Sequence, residues 1–332
     1  NGIQMLSTNP QSRRCAYPSD LHAIRSVQAG RQSRDWLRPW QQLLPGPTPA
    51  WTLPGLATRL KVGQITLKDE ALRSPLASFK TLGAPVALLR LILRRWSDHG
   101  FTPEDLWAGR HADALKDLVV ISATDGNHGR ALAAAAQNMG VRCVIVLHAQ
   151  VSPEREAPIA ALGAEIVRIA GNYDASVHEA ARLAELNGWQ VVSDTSYAGY
   201  EDIPRDVMQG YAIIAAELLE SAATDDACPY THVFLQGGVG GLAAGVLSDF
   251  WERFGSQRPT VVVVEPAQAD CLQQSALHGK VSNATGSVDS VMAGLACGEP
   301  SPLAWRFLQA GADFFLTVPD ALAEQAMRVL AQ

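Results

Sequence analysis

The chain has 332 residues, of which 47% are hydrophobic and 18% charged, with a formal net charge of −6 at pH 7. That is the composition of a globular protein with room for two domains and a substantial core. The acidic balance, with basic residues concentrated only on a modest helix face over 90–95, excludes a nucleic-acid partner. Five scattered cysteines (15, 143, 228, 271 and 297) include no C-x-x-C pair, so neither a disulfide framework nor a zinc site is expected. No run reaches the ~18 apolar residues of a membrane span, and the first residues carry no basic-then-apolar signal pattern. A cytoplasmic protein with no membrane partner is the expectation, with residues preceding Asn1 also expected because the sequence does not open on Met.

Residues 1–40 are polar, rich in Arg and Gln, with a helical tract over 19–37, and read as a peripheral lead-in. A turn-dense break at Pro45-Gly46-Pro47-Thr48-Pro49 is followed by a short helix over 53–60 and a strand over 64–70. Next comes Ser78-Phe79-Lys80-Thr81-Leu82-Gly83-Ala84, opening a helix over 81–96 whose apolar residues recur at i, i+3 and i+4. Lys80 is thereby predicted near a helix N-terminus, where the positive end of the macrodipole favours a neutral amine. An ordinary lysine, with a pKa of ~10.4, is a poor nucleophile at neutral pH. Lys80 is either a surface residue or an imine former unloaded by its surroundings.

From residue 117 the pattern alternates apolar strands (118–122, 143–147, 165–169, 190–193) with Ala-rich helices (129–139, 152–162, 174–187). A second set follows, with strands over 231–236 and 260–265 flanking a helix over 242–254. This alternation predicts an α/β protein with two open parallel-sheet domains and helices on both faces. Ligands in such folds sit beyond the carboxyl ends of the strands, here in a cleft between the sheets.

Three strand-to-helix turns carry chemistry. In Thr124-Asp125-Gly126-Asn127-His128-Gly129, backbone N–H groups and short polar side chains can surround an anionic group, Asn127 suits a ring oxygen and Asp125 can move a proton. A turn that merely caps the helix is the alternative. In Gln236-Gly237-Gly238-Val239-Gly240-Gly241, four glycines in five positions let the backbone wrap a phosphate. The same stretch, read as Gly238-Val239-Gly240-Gly241-Leu242-Ala243 with Glu265 ending the next strand, also matches a dinucleotide fingerprint. Ser193-Asp194-Thr195 places a second carboxylate at a strand end, facing the cleft or serving as a turn residue.

Together, the lysine, the Gly-Asn-His turn and the glycine loop resemble the fold type II pyridoxal-phosphate enzymes, which include serine and threonine dehydratases and the tryptophan synthase β chain. More closely, the sequence is similar to the diaminopropionate ammonia-lyase family. The similarity rests on Ala123-Thr124-Asp125-Gly126-Asn127-His128-Gly129-Arg130, on Asp194-Thr195 with Gly199-Tyr200, and on Met208-Gln209-Gly210-Tyr211. It continues through Glu265-Pro266 with Ala269-Asp270-Cys271 and Val291-Met292-Ala293-Gly294-Leu295-Ala296-Cys297-Gly298-Glu299-Pro300. These blocks run in order from about residue 68 onward.

The resemblance implies pyridoxal 5'-phosphate as cofactor, held by Lys80 as an internal aldimine, with Asn127 at its ring hydroxyl and Gly237, Gly238, Val239, Gly240 and Gly241 at its phosphate. It further implies β-elimination of D- and L-2,3-diaminopropionate to pyruvate and ammonia. Lys80 and Asp125 would take the α-proton from opposite enantiomers, Asp194 would join them as a catalytic residue, and Thr124, Asp125 and Asp194 would contact the amino-acid substrate. A homodimer is implied as well. Residues 1–82 and 201–332 would form a large cofactor domain, and 83–200 a small one carrying the Asp125 and Asn127 turn. In the family a Gly/Ser-rich stretch after the segment matching 326–330 completes the large domain and contacts the pyridine nitrogen, and this sequence ends at Gln332.

Physically, a cationic β-substituent prefers a pocket with carboxylates, which Asp125 and Asp194 supply. Two departures from the lyase pattern are Ser78 in Ala77-Ser78-Phe79-Lys80, where Asn-Ala-Phe-Lys is usual and the dehydratases carry serine, and Pro85. The alternatives are a dehydratase of a 3-hydroxy amino acid, a nicotinamide-dependent oxidoreductase built on the glycine loop, and a binding module without catalysis.

Overall fold

The computed structural model describes residues 5–124, 126–222 and 227–332. Strands β1 (Leu6–Thr8), β2 (Ala50–Thr52), β3 (Thr66–Lys68), β4 (Val119–Thr124), β5 (Arg142–Leu147), β6 (Glu165–Arg168), β7 (Gln190–Val191), β8 (His232–Gln236), β9 (Thr260–Pro266) and β10 (Phe314–Val318) form three sheets. One runs β6-β5-β4-β7, all parallel; another runs β1-β10-β9-β8, parallel except for β1; β2 and β3 make a small antiparallel pair. The expected α/β architecture with two parallel-dominated sheets is thus present.

The helices that matter for the cleft are α1 (Val27–Leu37), α2 (Ala84–Arg95), α3 (Asn127–Met139), α4 (Pro153–Ala160), α5 (Tyr173–Asn187), α6 (Asp202–Tyr211), α7 (Gly241–Phe254), α8 (Cys271–His278) and α9 (Pro302–Gly311). Period-two alternation sorts the first sheet's residues onto two covered faces. Val120, Cys143, Ile145 and Leu147 pack with Ala131 to Ala136 of α3, whereas Ile121, Ala123, Val144 and Val146 pack with Ala180 and Ala184 of α5. Helix α6 lies against both α2 and α7, joining the helical layers of the two sheets.

The segment expected to be a peripheral lead-in is built into the fold. Leu6 pairs with Leu316, making β1 the edge of the second sheet. The helical tract predicted over 19–37 is present as two helices, a short one at Ser19–His22 and then α1, because Ser26 accepts a hydrogen bond from the Ala29 N–H and starts a new helix. Between them, Arg25 is fully buried and pairs with Asp249 of α7 at 2.5 Å. Nor is the 90–95 face simply solvated: Arg90 donates to the Ala29 carbonyl and Ser33, and Arg94 pairs with Asp206 of α6 at 2.6 Å.

The helix predicted over 81–96 divides into a 3-10 turn, Phe79–Leu82, and α2. Pro85 sits in the first turn of α2, where a missing N–H costs nothing. Upstream, Lys68 and Arg73 meet the Glu217 carboxylate at 2.6 and 2.7 Å, all three nearly buried, fixing the chain that leads to Lys80.

Candidate active site

Lys80 is positioned by local backbone chemistry. Ser78 accepts a hydrogen bond from the Lys80 N–H at 3.2 Å, and Thr81 returns its hydroxyl to the Ser78 carbonyl at 2.8 Å. Ala77, just before, has φ of 52°, a left-handed conformation that an alanine adopts at a cost of about 1 kcal/mol. The turn can lie against α6 only because residue 210 is glycine: a Cβ there would stand 1.7 Å from the Leu82 carbonyl oxygen. Gly83 likewise admits the Tyr211 ring, 2.6 Å from where its Cβ would be.

The amine points at a carboxylate. Lys80 Nζ donates to Asp194 Oδ2 at 2.9 Å, and the Tyr173 hydroxyl donates to Oδ1 at 3.3 Å. His128 Nδ1 lies 3.9 Å from Oδ2. The other ring nitrogen, Nε2, is 2.9 Å from the Val192 carbonyl, which can only accept, so Nε2 carries the proton. Burial alone would push the Asp194 carboxyl up, but the Lys80 ammonium, and after it His128, outweigh that penalty and hold it well below the usual carboxylate range. Asp194 is therefore a buried, ionised group a few residues past the short β7, and it is this anion, in addition to the helix start expected from sequence, that faces the Lys80 amine.

Around the pair is a cavity enclosing about 250 Å³, lined among others by Phe79, Thr124, Asn127, Tyr211, Gly237, Gly238, Val239, Gly241 and the 292–295 loop. It lies beyond the carboxyl ends of β4, β7 and β8, which come from both sheets. Thr124 accepts the Gly126 and Gly129 N–H groups at 2.9 and 3.0 Å, so threonine caps this turn. Asn127 remains exposed, with no hydrogen-bond partner among the described residues. Asp125 lies outside the described residues.

The glycine loop closes the opposite side. Gly240 donates its N–H to the Gly237 carbonyl at 3.2 Å, and Gly238 and Gly240 have φ of 67° and 106°, which only glycine adopts without strain. Helix α7 begins at Gly241, and its N-cap Gly240 brings no side chain to the first N–H groups. Four of the five predicted loop residues line the cavity; Gly240 instead faces Ala304 and Leu308. A lysine amine, an uncommitted amide and a helix N-terminus behind a glycine turn fit an aldehyde cofactor with a ring hydroxyl and a phosphate.

The dinucleotide alternative fails on Glu265. An acid that takes ribose hydroxyls must reach solvent or ligand, whereas Glu265 is completely buried and accepts the Leu272 and Gln273 N–H groups at 2.8 and 2.9 Å. Burial pushes its carboxyl up to about 8 despite those two donors.

Fold and cavity thus define a pyridoxal-phosphate enzyme of fold type II. Residues 42–332 match the family described as "Pyridoxal-phosphate dependent enzyme". The diaminopropionate ammonia-lyase of Escherichia coli (strain K12) is 39% identical over 285 residues, covering 86% of this chain and 71% of that protein. The structure of the Escherichia coli diaminopropionate ammonia lyase in complex with D-serine aligns with a TM-score of 0.85 and 34% identity, over 98% of this chain and 79% of that one. The biosynthetic L-threonine dehydratase of the same strain is 29% identical over 199 residues, 60% of this chain and 32% of that protein. The chain belongs to the pyridoxal-phosphate-dependent enzymes and, within them, to the ammonia-lyase family of the first two relatives, enzymes of β-elimination.

Sequence reasoning assigned no role to His128, Tyr173, Tyr211 or the 292–295 loop. His128 stands inside the turn singled out for Asn127, and Tyr173 opens a helix immediately after a strand, the same βα position that flagged the other site residues. Tyr211 and the loop lie in motif blocks that carried the family resemblance, so pattern marked them while chemistry did not.

Proposed function

We propose that the chain catalyses β-elimination of 2,3-diaminopropionate, in both enantiomers, consuming one water and giving pyruvate and two molecules of ammonia. The observation that carries this reading is the buried, ionised Asp194, whose cationic partner at 2.9 Å is the amine the cofactor requires. Once Lys80 is engaged, its charge no longer balances Asp194, and a substrate with a second ammonium restores the balance. A serine-type substrate brings no such cation.

Bound pyridoxal phosphate supplies the electron sink for the pair left when Cα–H is broken. The residues of this chain do the rest. The loop 237–241 binds the phosphate and Asn127 the ring hydroxyl. Lys80 Nζ takes the α-proton on one face, Asp125 takes it from the D enantiomer on the other, and Asp194 Oδ2 holds the β-ammonium until it leaves. Thr124, at the end of β4, contacts the substrate from the Asp125 side. In this reading 1–82 with 201–332 form the cofactor domain, 83–200 the small domain, and the working unit is a cytoplasmic homodimer.

Ser78 favours a second reading, dehydration of a 3-hydroxy amino acid. Pyruvate release from D- and L-diaminopropionate, compared with D- and L-serine, separates the two. We expect diaminopropionate to dominate, and Asp125→Asn to abolish turnover of the D enantiomer while sparing the L. Unchanged D turnover in that variant would remove Asp125 as a base.

A further inference from the structure

We propose that Glu265 is a positioning residue for the glycine loop: it fixes the floor on which Gly237 and Gly238 rest, and so sets the protein's preference for a phosphorylated over an unphosphorylated cofactor. The proposal rests on the reading of 237–241 as the phosphate cradle.

Three contacts argue for it. First, Gly237 lies directly on the Glu265 side chain. A Cβ at 237 would be 2.7 Å from Glu265 Cγ and 3.2 Å from Leu272 Cδ1, while the Gly237 N–H is tied to the Val264 carbonyl at 2.8 Å. Second, the Glu265 carboxyl group grips the start of α8 through the Leu272 and Gln273 N–H groups. Asp270, at the helix's own N-cap position, gives its carboxylate to Thr285 and Gln274 instead, leaving Glu265 to cap α8 from another strand. Third, the first turn of α8 touches the loop again. Cys271 Sγ donates to the Gly238 carbonyl at 3.6 Å, its thiol kept protonated by burial, and Leu272 Cδ2 lies 3.6 Å from where a Gly240 Cβ would be. Moving the carboxyl group therefore moves α8, and α8 carries the underside of the loop. Glu265 touches no part of the cavity itself, so its influence passes through the loop's height.

The test is a titration of cofactor-free full-length protein with pyridoxal 5'-phosphate and, separately, with pyridoxal, followed by the visible absorbance of the bound aldehyde. Pyridoxal keeps the ring and lacks the phosphate, and its closure to an internal hemiacetal in solution is the same for every variant, so the change in the ratio of the two affinities from wild type reads the cradle. Glu265→Ala is expected to lower that ratio about tenfold, with pyridoxal affinity unchanged. Glu265→Gln keeps the packing under Gly237 and one acceptor, and should fall between; if the alanine variant does not fold, the glutamine variant decides. A wild-type ratio in the folded variants, or an equal loss for both ligands, overturns the proposal. Gly238→Val, strained at φ of 67°, separates the two readings: a retained ratio there removes the cradle itself. A lost ratio in Gly238→Val with none in the Glu265 variants removes only the role of Glu265.

Discussion

Asp194→Asn removes one charge and keeps the side chain's shape. At the 2.9 Å separation from Lys80 Nζ, an effective dielectric of about 20 gives a gross attraction of ~6 kcal/mol. Both side chains are largely buried, at 14% and 8% exposure, so desolvation cancels much of that. An asparagine oxygen still accepts from the Tyr173 hydroxyl. What is lost is the difference between a charged and a neutral hydrogen bond, about 1–2 kcal/mol. Transferred to the β-ammonium of diaminopropionate, the same difference amounts to about five- to thirtyfold in kcat/KM. Serine has no second ammonium, so its turnover should change little. The assay is pyruvate release, with kcat/KM measured for both substrates on wild type and variant, and the quantity to read is their ratio. If both substrates lose equally, Asp194 orients the site generally and does not recognise the substrate's extra charge.

Other outcomes follow from the same contacts. Lys80→Ala should abolish both turnover and the visible absorbance of the cofactor-loaded protein; retention of that absorbance would mean another amine carries the cofactor. Glu217→Ala leaves Lys68 and Arg73 buried without their common carboxylate, and denaturant unfolding should show a loss of about 3–5 kcal/mol. A loss below about 1 kcal/mol would mean solvent replaces the partner. Glu265 has a folded-state pKa raised to about 8, above the ~4.3 of an unfolded glutamate. The folded protein then keeps a proton that the unfolded chain releases, so the stability tied to this group is full below about pH 4.3 and is lost as pH rises through 8. Glu265→Gln should flatten stability against pH across that window, and an unchanged profile would refute the shift.

What could be read from sequence was whatever the backbone itself demands. A run of glycines between a strand and a helix has few physical explanations, and a short polar turn in the same position is nearly as distinctive, so the 124–129 and 237–241 turns and Lys80 were legible. Long-range partners were not. Asp194 lies 114 residues from Lys80, and nothing local to either announces the other. Arg25 lies 224 residues from Asp249, which is why a polar N-terminal segment looked peripheral: its charges find their neutralising partners only in the fold. Glu265 carried an alternative reading for a related reason. Its position after a strand fitted a ligand-binding acid, and only its burial, with two backbone N–H groups of α8 pointed at it, showed that it serves the protein's own helix.

The charges around Lys80 also constrain which chemistry the cavity supports. An amine that must react needs to shed its proton, yet it stands beside a buried carboxylate that favours the proton's retention. A neutral group at position 194 would ease the amine's task, as a pocket for neutral β-hydroxyls requires. The carboxylate is tolerable only if a cation faces it in each state the site passes through. Lys80 fills that role before the amine is engaged, and His128, with its Nδ1 3.9 Å away, is too distant to replace a 2.9 Å contact. Among the described residues no other cation has that reach, which leaves the ammonium of a diamino substrate; it would depart as neutral ammonia with the C–N electron pair, while the proton taken from Cα recharges Lys80. In the proposed reaction the same carboxylate would face Lys80, then substrate, then Lys80 again, a sequence that would serve a diamino acid and penalise a hydroxy one.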